Sequence, residues 1–213
     1  MISISPTIQN VRAALALPDF DVEGAWRRMF TRPGLPRTLP PDLSKVRQAG
    51  VLALLYPALA GGLVLALIRR TPDPGVHSGQ IGFPGGAHEP GDSDATITAL
   101  REACEEVGVC GPVCILGQLT PVYIPPSGFL VTPTVGWVPA RPVFAPSPDE
   151  VAELIELPLP SLLDDSRKRE EDWVLAGYDV RVPFYDVSGH KVWGATALML
   201  SELEMRLRAV LGM

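Results

Sequence analysis

The chain has 213 residues, of which 46% are apolar and 20% charged, and its formal net charge is −6. These values place it among ordinary globular proteins, with ample sequence for one full core. The acidic balance argues against a protein that coats nucleic acid or an anionic membrane, because such binding rests on Lys and Arg. An anionic small molecule stays compatible, since metal ions and local charges reverse the field inside a site.

Met1 to Pro6 has neither the basic start nor the apolar run of a signal peptide, and a cytoplasmic location is expected. Residues 8–31 read as helical, with Val11, Leu15 and Leu17 and then Val22, Trp26, Met29 and Phe30 as apolar positions. Pro18 divides them into two pieces. Residues 33–41 hold four prolines and form an irregular connection. Val51 to Ile68 is apolar enough to raise the transmembrane question. Pro57 and Gly61-Gly62 interrupt it, so two buried strands joined by a turn are expected instead.

Thr71 to Gly79 is a Pro/Gly-rich loop, and Gln80 to Phe83 a short strand entering a turn at Pro84-Gly85-Gly86. Asp92 to Val107 is the strongest helix, with Asp92, Ser93 and Asp94 as capping candidates and Gly108 as the stop. Val113–Tyr123 and Phe129–Val138 read as strands around Pro125-Pro126-Ser127-Gly128. Val151–Leu157 is a strand or short helix, and Leu159–Leu163 a helical turn. Val174–Val187 holds one or two strands, and Lys191–Trp193 another. Ala195 to Val210 is a closing amphipathic helix. Strands and helices alternate too irregularly for a doubly wound sheet, so an α/β fold with a mixed sheet packed between helices is expected. Cys104, Cys110 and Cys114 contain no CxxC pair and are odd in number. Free, largely buried thiols in a reducing compartment are expected.

The chemistry concentrates in the helix at 92–107. Glu102, Glu105 and Glu106 stand at i, i+3 and i+4 and share one face, while Leu100, Ala103 and Val107 face away to pack on a sheet. Taken alone, three glutamates also fit a solvated acidic face. The glycines upstream shift the reading, because backbone carbonyls can approach a ligand where no Cβ intervenes. A carbonyl from that segment plus carboxylates one helical turn apart offers the oxygen donors that a hard cation such as Mg²⁺ takes. Such an ion would neutralise a pyrophosphate and activate water. Arg101 is placed to brace the glutamates through its guanidinium.

Gly86 through Val109, GAHEPGDSDATITALREACEEVGV, resembles the Nudix box, and Arg101 through Val109 carries its most specific part. Two positions depart from the pattern: Asp92 stands in place of the first glutamate, and eight residues rather than seven separate it from Arg101. A second stretch resembles the coenzyme A pyrophosphatase branch of that family, through Arg70, Gly79 and Phe83-Pro84-Gly85-Gly86. Ile68 stands there where threonine is usual, and Gly75 where a second arginine is usual. Val192-Trp193-Gly194-Ala195-Thr196-Ala197 is similar to the branch's entry to its last helix.

The resemblance implies a Nudix-type α/β/α sandwich over residues 46–213, with residues 1–45 as an N-terminal helical extension. It implies Glu102, Glu105 and Glu106 as ligands of Mg²⁺ or Mn²⁺, the Gly86 carbonyl as a further ligand, and coenzyme A cut to 4′-phosphopantetheine and adenosine 3′,5′-bisphosphate. Arg101 joins the three glutamates as a catalytic candidate. Arg70, His77 and Gly85 are candidate substrate contacts. Glu102 is one candidate general base; Glu150 and Glu153, after the Pro-rich loop, are others, and both also fit solvent-facing positions. His88 and Glu89 are expected to face solvent, His190 to sit in a turn, and Tyr123, Phe129 and Trp137 to pack in the core. Two alternatives stand beside coenzyme A: another nucleoside diphosphate derivative such as ADP-ribose or a dinucleotide, and a nucleotide-binding regulatory module without hydrolysis. The partner expected is a small molecule, with no nucleic acid and no membrane. Helices over 8–31 that need a surface to cover leave a homodimer open.

Overall fold

Pro57 and Gly61-Gly62 divide the apolar run as expected: β1 (Arg47–Pro57) and β2 (Leu63–Arg70) pair antiparallel. The Ala58 N–H closes the turn by donating to the Gly62 carbonyl at 3.0 Å. The computed structural model describes residues 5–31, 42, 45–72, 79–175 and 177–213. β1 runs parallel to β7 (Phe129–Trp137), and every other pairing is antiparallel, so the main sheet is mixed. β7 carries β5 (Cys114–Gln118) and β6 (Val122–Ile124). β2 carries β3 (Ile81–Gly82) and β8 (Val151–Pro158), and β4 (Gly85–Ala87) pairs with β1. A second sheet holds β9 (Lys168–Leu175), β10 (Tyr178–Val187) and β11 (His190–Val192).

Period-two alternation sends the two sides of β1 and β2 into different cores. Leu52, Leu54, Tyr56, Ala66 and Ile68 meet α3 (Ala95–Val107) on one face. Ala53, Leu55, Leu65 and Leu67 face α1 (Ile8–Leu15) and α5 (Gly194–Leu211) on the other. This is an α/β/α sandwich. α2 (Val22–Arg27) joins α1 on α5: the Ser201 hydroxyl donates to the Ala25 carbonyl at 2.7 Å, and Arg206 to the Ala14 carbonyl at 3.3 Å. Val11, Ala14 and Ala25 are thereby buried within the chain. Among the described residues, no helix is long and apolar enough to cross a membrane.

Several elements differ from expectation. Pro84-Gly85-Gly86 is no simple turn, because Gly85 and Gly86 enter β4 beside Gly50 and Val51. A Cβ on Gly85 would overlap the Gly50 carbonyl oxygen, so the glycines allow two backbones to pass close together. The strand expected over 113–123 is broken into β5 and β6; the ladder shifts register between Ile115 and Gly117, and Pro121 lacks a donor. β9 begins at Lys168 rather than Val174, its charged run hiding the alternation. His190 lies in β11, not in a turn. The cysteines also differ. Gly108 ends α3 at φ 75° and turns the chain back, which brings Cys110 over Cys104 in a disulfide with Cα atoms 4.4 Å apart. Cys114 is a free, exposed thiol.

Candidate active site

Asp94 starts α3 by accepting from the N–H groups of Thr96 (2.8 Å) and Ile97 (3.0 Å). Ala99, Ala103 and Val107 then lie on the sheet. Gly50 permits this approach, since a Cβ there would overlap the Ala95 carbonyl oxygen. With the apolar side of α3 fixed, Glu102 and Glu106 turn toward β4 and the end of β2.

Glu106 is buried. Its carboxylate accepts from the Gly85 N–H at 2.7 Å and from Arg70 Nη1 at 3.0 Å. Burial nevertheless pushes its pKa up to about 7, against the lowering effects of Gly85 and Arg70, with the nearby Glu102 and Glu150 charges adding to the rise. Glu102 is also raised, first by burial, with Arg101 opposing and Glu105 and Glu150 contributing. Its carboxylate rests on Gly86, where a Cβ would stand 2.5 Å from Oε1. Glu105 is more exposed.

Arg101 joins these groups. Its bidentate partner is Asp92 rather than a glutamate: Nε and Nη2 each donate at 3.1 Å. Nη1 meets Glu102 and Glu105, each at 3.0 Å, and Nη2 donates to the Ala87 carbonyl at 2.9 Å. Asp92 further accepts from the Glu89 N–H at 3.0 Å and the buried Thr98 hydroxyl at 2.9 Å. These bonds, Arg101 first, hold the Asp92 carboxyl well below the usual carboxylate range.

The donor set suits a hard divalent cation. Carboxylate and backbone oxygens are present, one carboxylate is buried beyond what its partners offset, and a glycine keeps side-chain bulk away from Glu102. Among the described residues no three acidic, imidazole or thiol groups already converge as a ligand cluster. Arg101 stands between Glu102 and Glu105 instead, so these carboxylates must turn from the guanidinium to share an ion.

Arg70, Gly85, Gly86, Glu102 and Glu106 thus come together. Gly85 is there through an N–H committed to Glu106. Glu150 is exposed at the end of the segment before β8, and its charge contributes to the rise at Glu102 and Glu106. Glu153 is engaged elsewhere, accepting from Arg69 Nε at 3.0 Å and lying 3.2 Å from His190 Nε2. His77 lies outside the described residues. His88 is exposed, as expected, and its Nδ1 lies 3.1 Å from the Thr98 hydroxyl. Phe129 is half-buried beneath the Arg47 guanidinium at 4.0 Å. Sequence reading missed Thr98 and the Ala87 carbonyl; a threonine six residues after Asp92 at the first turn of a helix was the one available sign.

A family model described as the NUDIX domain matches residues 46–176. A protein of Pectobacterium atrosepticum described as an uncharacterized Nudix hydrolase, NudL, is 39% identical over 180 residues, covering 79% of this chain and 88% of its own length. The protein of that description from Yersinia enterocolitica is 41% identical over 144 residues, 67% of this chain and 73% of its own. Among solved structures, a Nudix hydrolase of M. smegmatis, RenU, aligns with TM-score 0.51 at 18% identity, covering 86% of this chain and 93% of that one. A MutT/nudix family protein of Enterococcus faecalis aligns with TM-score 0.51 at 15% identity, covering 98% and 81%. At these identities the two structures bear on the fold alone.

Proposed function

This chain belongs to the Nudix hydrolase family, and from that premise we propose that it hydrolyses the pyrophosphate link of coenzyme A, giving 4′-phosphopantetheine and adenosine 3′,5′-bisphosphate. The observation that carries the reading is the junction at Glu106. Within the stretch that resembles the coenzyme A branch, Arg70 Nη1 and the Gly85 N–H both donate to Glu106 of the stretch that resembles the general box.

Glu102, Glu105 and Glu106 would hold Mg²⁺ or Mn²⁺, with the Gly86 carbonyl as a further donor. Such an ion supplies charge neutralisation to the pyrophosphate and activation to water. Gly85 and Arg70 fix the Glu106 carboxylate, and Asp92 fixes Arg101 while leaving Nη1 directed at Glu102 and Glu105. Glu150 is the better general base of the two outside the box, since Glu153 is already bound by Arg69 and His190. In that role it takes the proton of the attacking water as oxygen adds to one phosphorus and the bridging oxygen leaves with the other phosphate.

The second reading, another nucleoside diphosphate derivative, is favoured by Gly75, which stands where the branch carries an arginine. Measuring kcat/KM with Mg²⁺ for coenzyme A, ADP-ribose and a diadenosine polyphosphate separates the two. Coenzyme A should lead by about tenfold or more, the size of one good polar contact. A lead for either other compound would remove coenzyme A and keep the hydrolase.

A further inference from the structure

Between β7 and β8 the chain runs as a strut, residues 139–150, carrying prolines at 139, 142, 146 and 148. Prolines at this spacing fix φ repeatedly and stiffen the segment, which closes in a turn where the Glu150 and Val151 N–H groups donate to the Ser147 carbonyl at 3.1 and 2.8 Å. The strut is bound at three places. Phe144 packs on the buried Tyr56 with ring centroids 5.4 Å apart, and Arg141 and Tyr56 both donate to Glu156, at 3.0 and 2.9 Å. The strut then crosses the end of α3. The Ala145 N–H donates to the Val107 carbonyl at 3.0 Å and the Ser147 N–H to the Glu106 carbonyl at 2.8 Å. The contact is tight, since a Cβ on Gly108 would stand 2.9 Å from the Ala145 Cβ. At its far end, the Thr71 N–H donates to the Glu150 carbonyl at 2.9 Å. One stiff segment therefore ties the helix end that carries Glu106 to the backbone of Glu150.

We propose that this strut sets the position of Glu150 against the α3 carboxylates, with Phe144 and Ala145 as positioning residues that never meet substrate. The proposal rests on the reading of Glu150 as general base. Phe144 fixes the strut where it passes Tyr56, and Ala145 sets its height over Gly108. A larger side chain at 145 lifts the strut from α3; loss of the ring at 144 frees its middle. Either change moves the base and leaves Glu102, Glu105 and Glu106 in place.

The test is a set of double-mutant cycles in the full chain, using the best substrate of the panel above with Mg²⁺. Glu150→Gln should lower kcat by about 100-fold or more, the usual range for a general base. Phe144→Ala and Ala145→Leu should each lower kcat by about tenfold or more with KM within about twofold, as a base displaced by a fraction of an ångström would. In the Glu150→Gln background neither should cost more than about twofold, because nothing remains to be positioned. Mn²⁺ affinity, read by electron paramagnetic resonance, should stay within about twofold. Equal losses in both backgrounds would mean that the strut only supports folding, and would overturn the proposal; a thermal midpoint for each variant shows whether that has happened. A normal kcat in Glu150→Gln would remove the base reading and this proposal with it. Slow Glu150→Gln beside unaffected Phe144→Ala and Ala145→Leu would remove the positioning alone.

Discussion

Asp92 reaches Arg101 through two bonds of 3.1 Å, although it is one methylene shorter than the glutamate of the family pattern and one residue further away. Asp92 lies ahead of the N-cap Asp94 and the first helical residue Ala95, and from there it still meets the guanidinium. Because the Asp92 carboxyl is held below its ordinary value of 3.8, it contributes stability above that value, lost as pH falls through the lower folded value. The thermal midpoint of Asp92→Asn should therefore lie below that of the parent by a constant gap from pH 8 to pH 5, narrowing only in more acid solution. A gap that closes between pH 8 and pH 5 would assign the effect to another group. Gly86 makes a second prediction. In Gly86→Ala a Cβ 2.5 Å from Glu102 Oε1 would displace a flexible carboxylate rather than backbone. Mn²⁺ affinity should fall by about tenfold or more, as when the support of a metal ligand is disturbed, with little change in thermal midpoint.

α3 was legible because its signals agree: a capping acid, apolar residues at helical spacing, carboxylates on one face and a glycine stop. Gly50 was not. It reads as one more residue of an apolar strand, and only the packing shows that α3 runs directly over it. Gly50→Ala should cost about 1–3 kcal/mol through overpacking against rigid backbone, read as a lower denaturant midpoint with unchanged slope. β9 and the Cys104–Cys110 bridge were hidden for different reasons. The strand is charged on both faces, and the bridge depends on a left-handed turn at Gly108 that spacing alone does not fix. The strut over 139–150 could be seen as Pro-rich, but its docking on the helix end depends on contacts between residues about forty positions apart.

At the scale of the molecule, α5 ties the halves together through buried charge. Glu202 accepts from the Thr120 hydroxyl and from Arg206 Nε, each at 3.0 Å, and Arg206 continues to the Ala14 carbonyl. Glu204 accepts from the Tyr185 hydroxyl at 2.7 Å and Arg208 at 2.6 Å. Glu202→Ala would leave Arg206 uncompensated and should cost about 3–5 kcal/mol. Proteolysis should then enter α1 before the sheet. The apolar sides of these elements were readable from periodicity. The buried acids were not, because Glu202 and Glu204 look like ordinary helix-surface residues until α1, β9 and β10 are packed around them. Substrate and site are tested together by resolving the products of coenzyme A incubated with the protein, with Mg²⁺ or with chelator, beside Glu106→Gln. Equal amounts of 4′-phosphopantetheine and adenosine 3′,5′-bisphosphate are expected, formed only with the metal and lost in the variant. Intact coenzyme A under all conditions would contradict the substrate, and undiminished cleavage by Glu106→Gln would contradict the site.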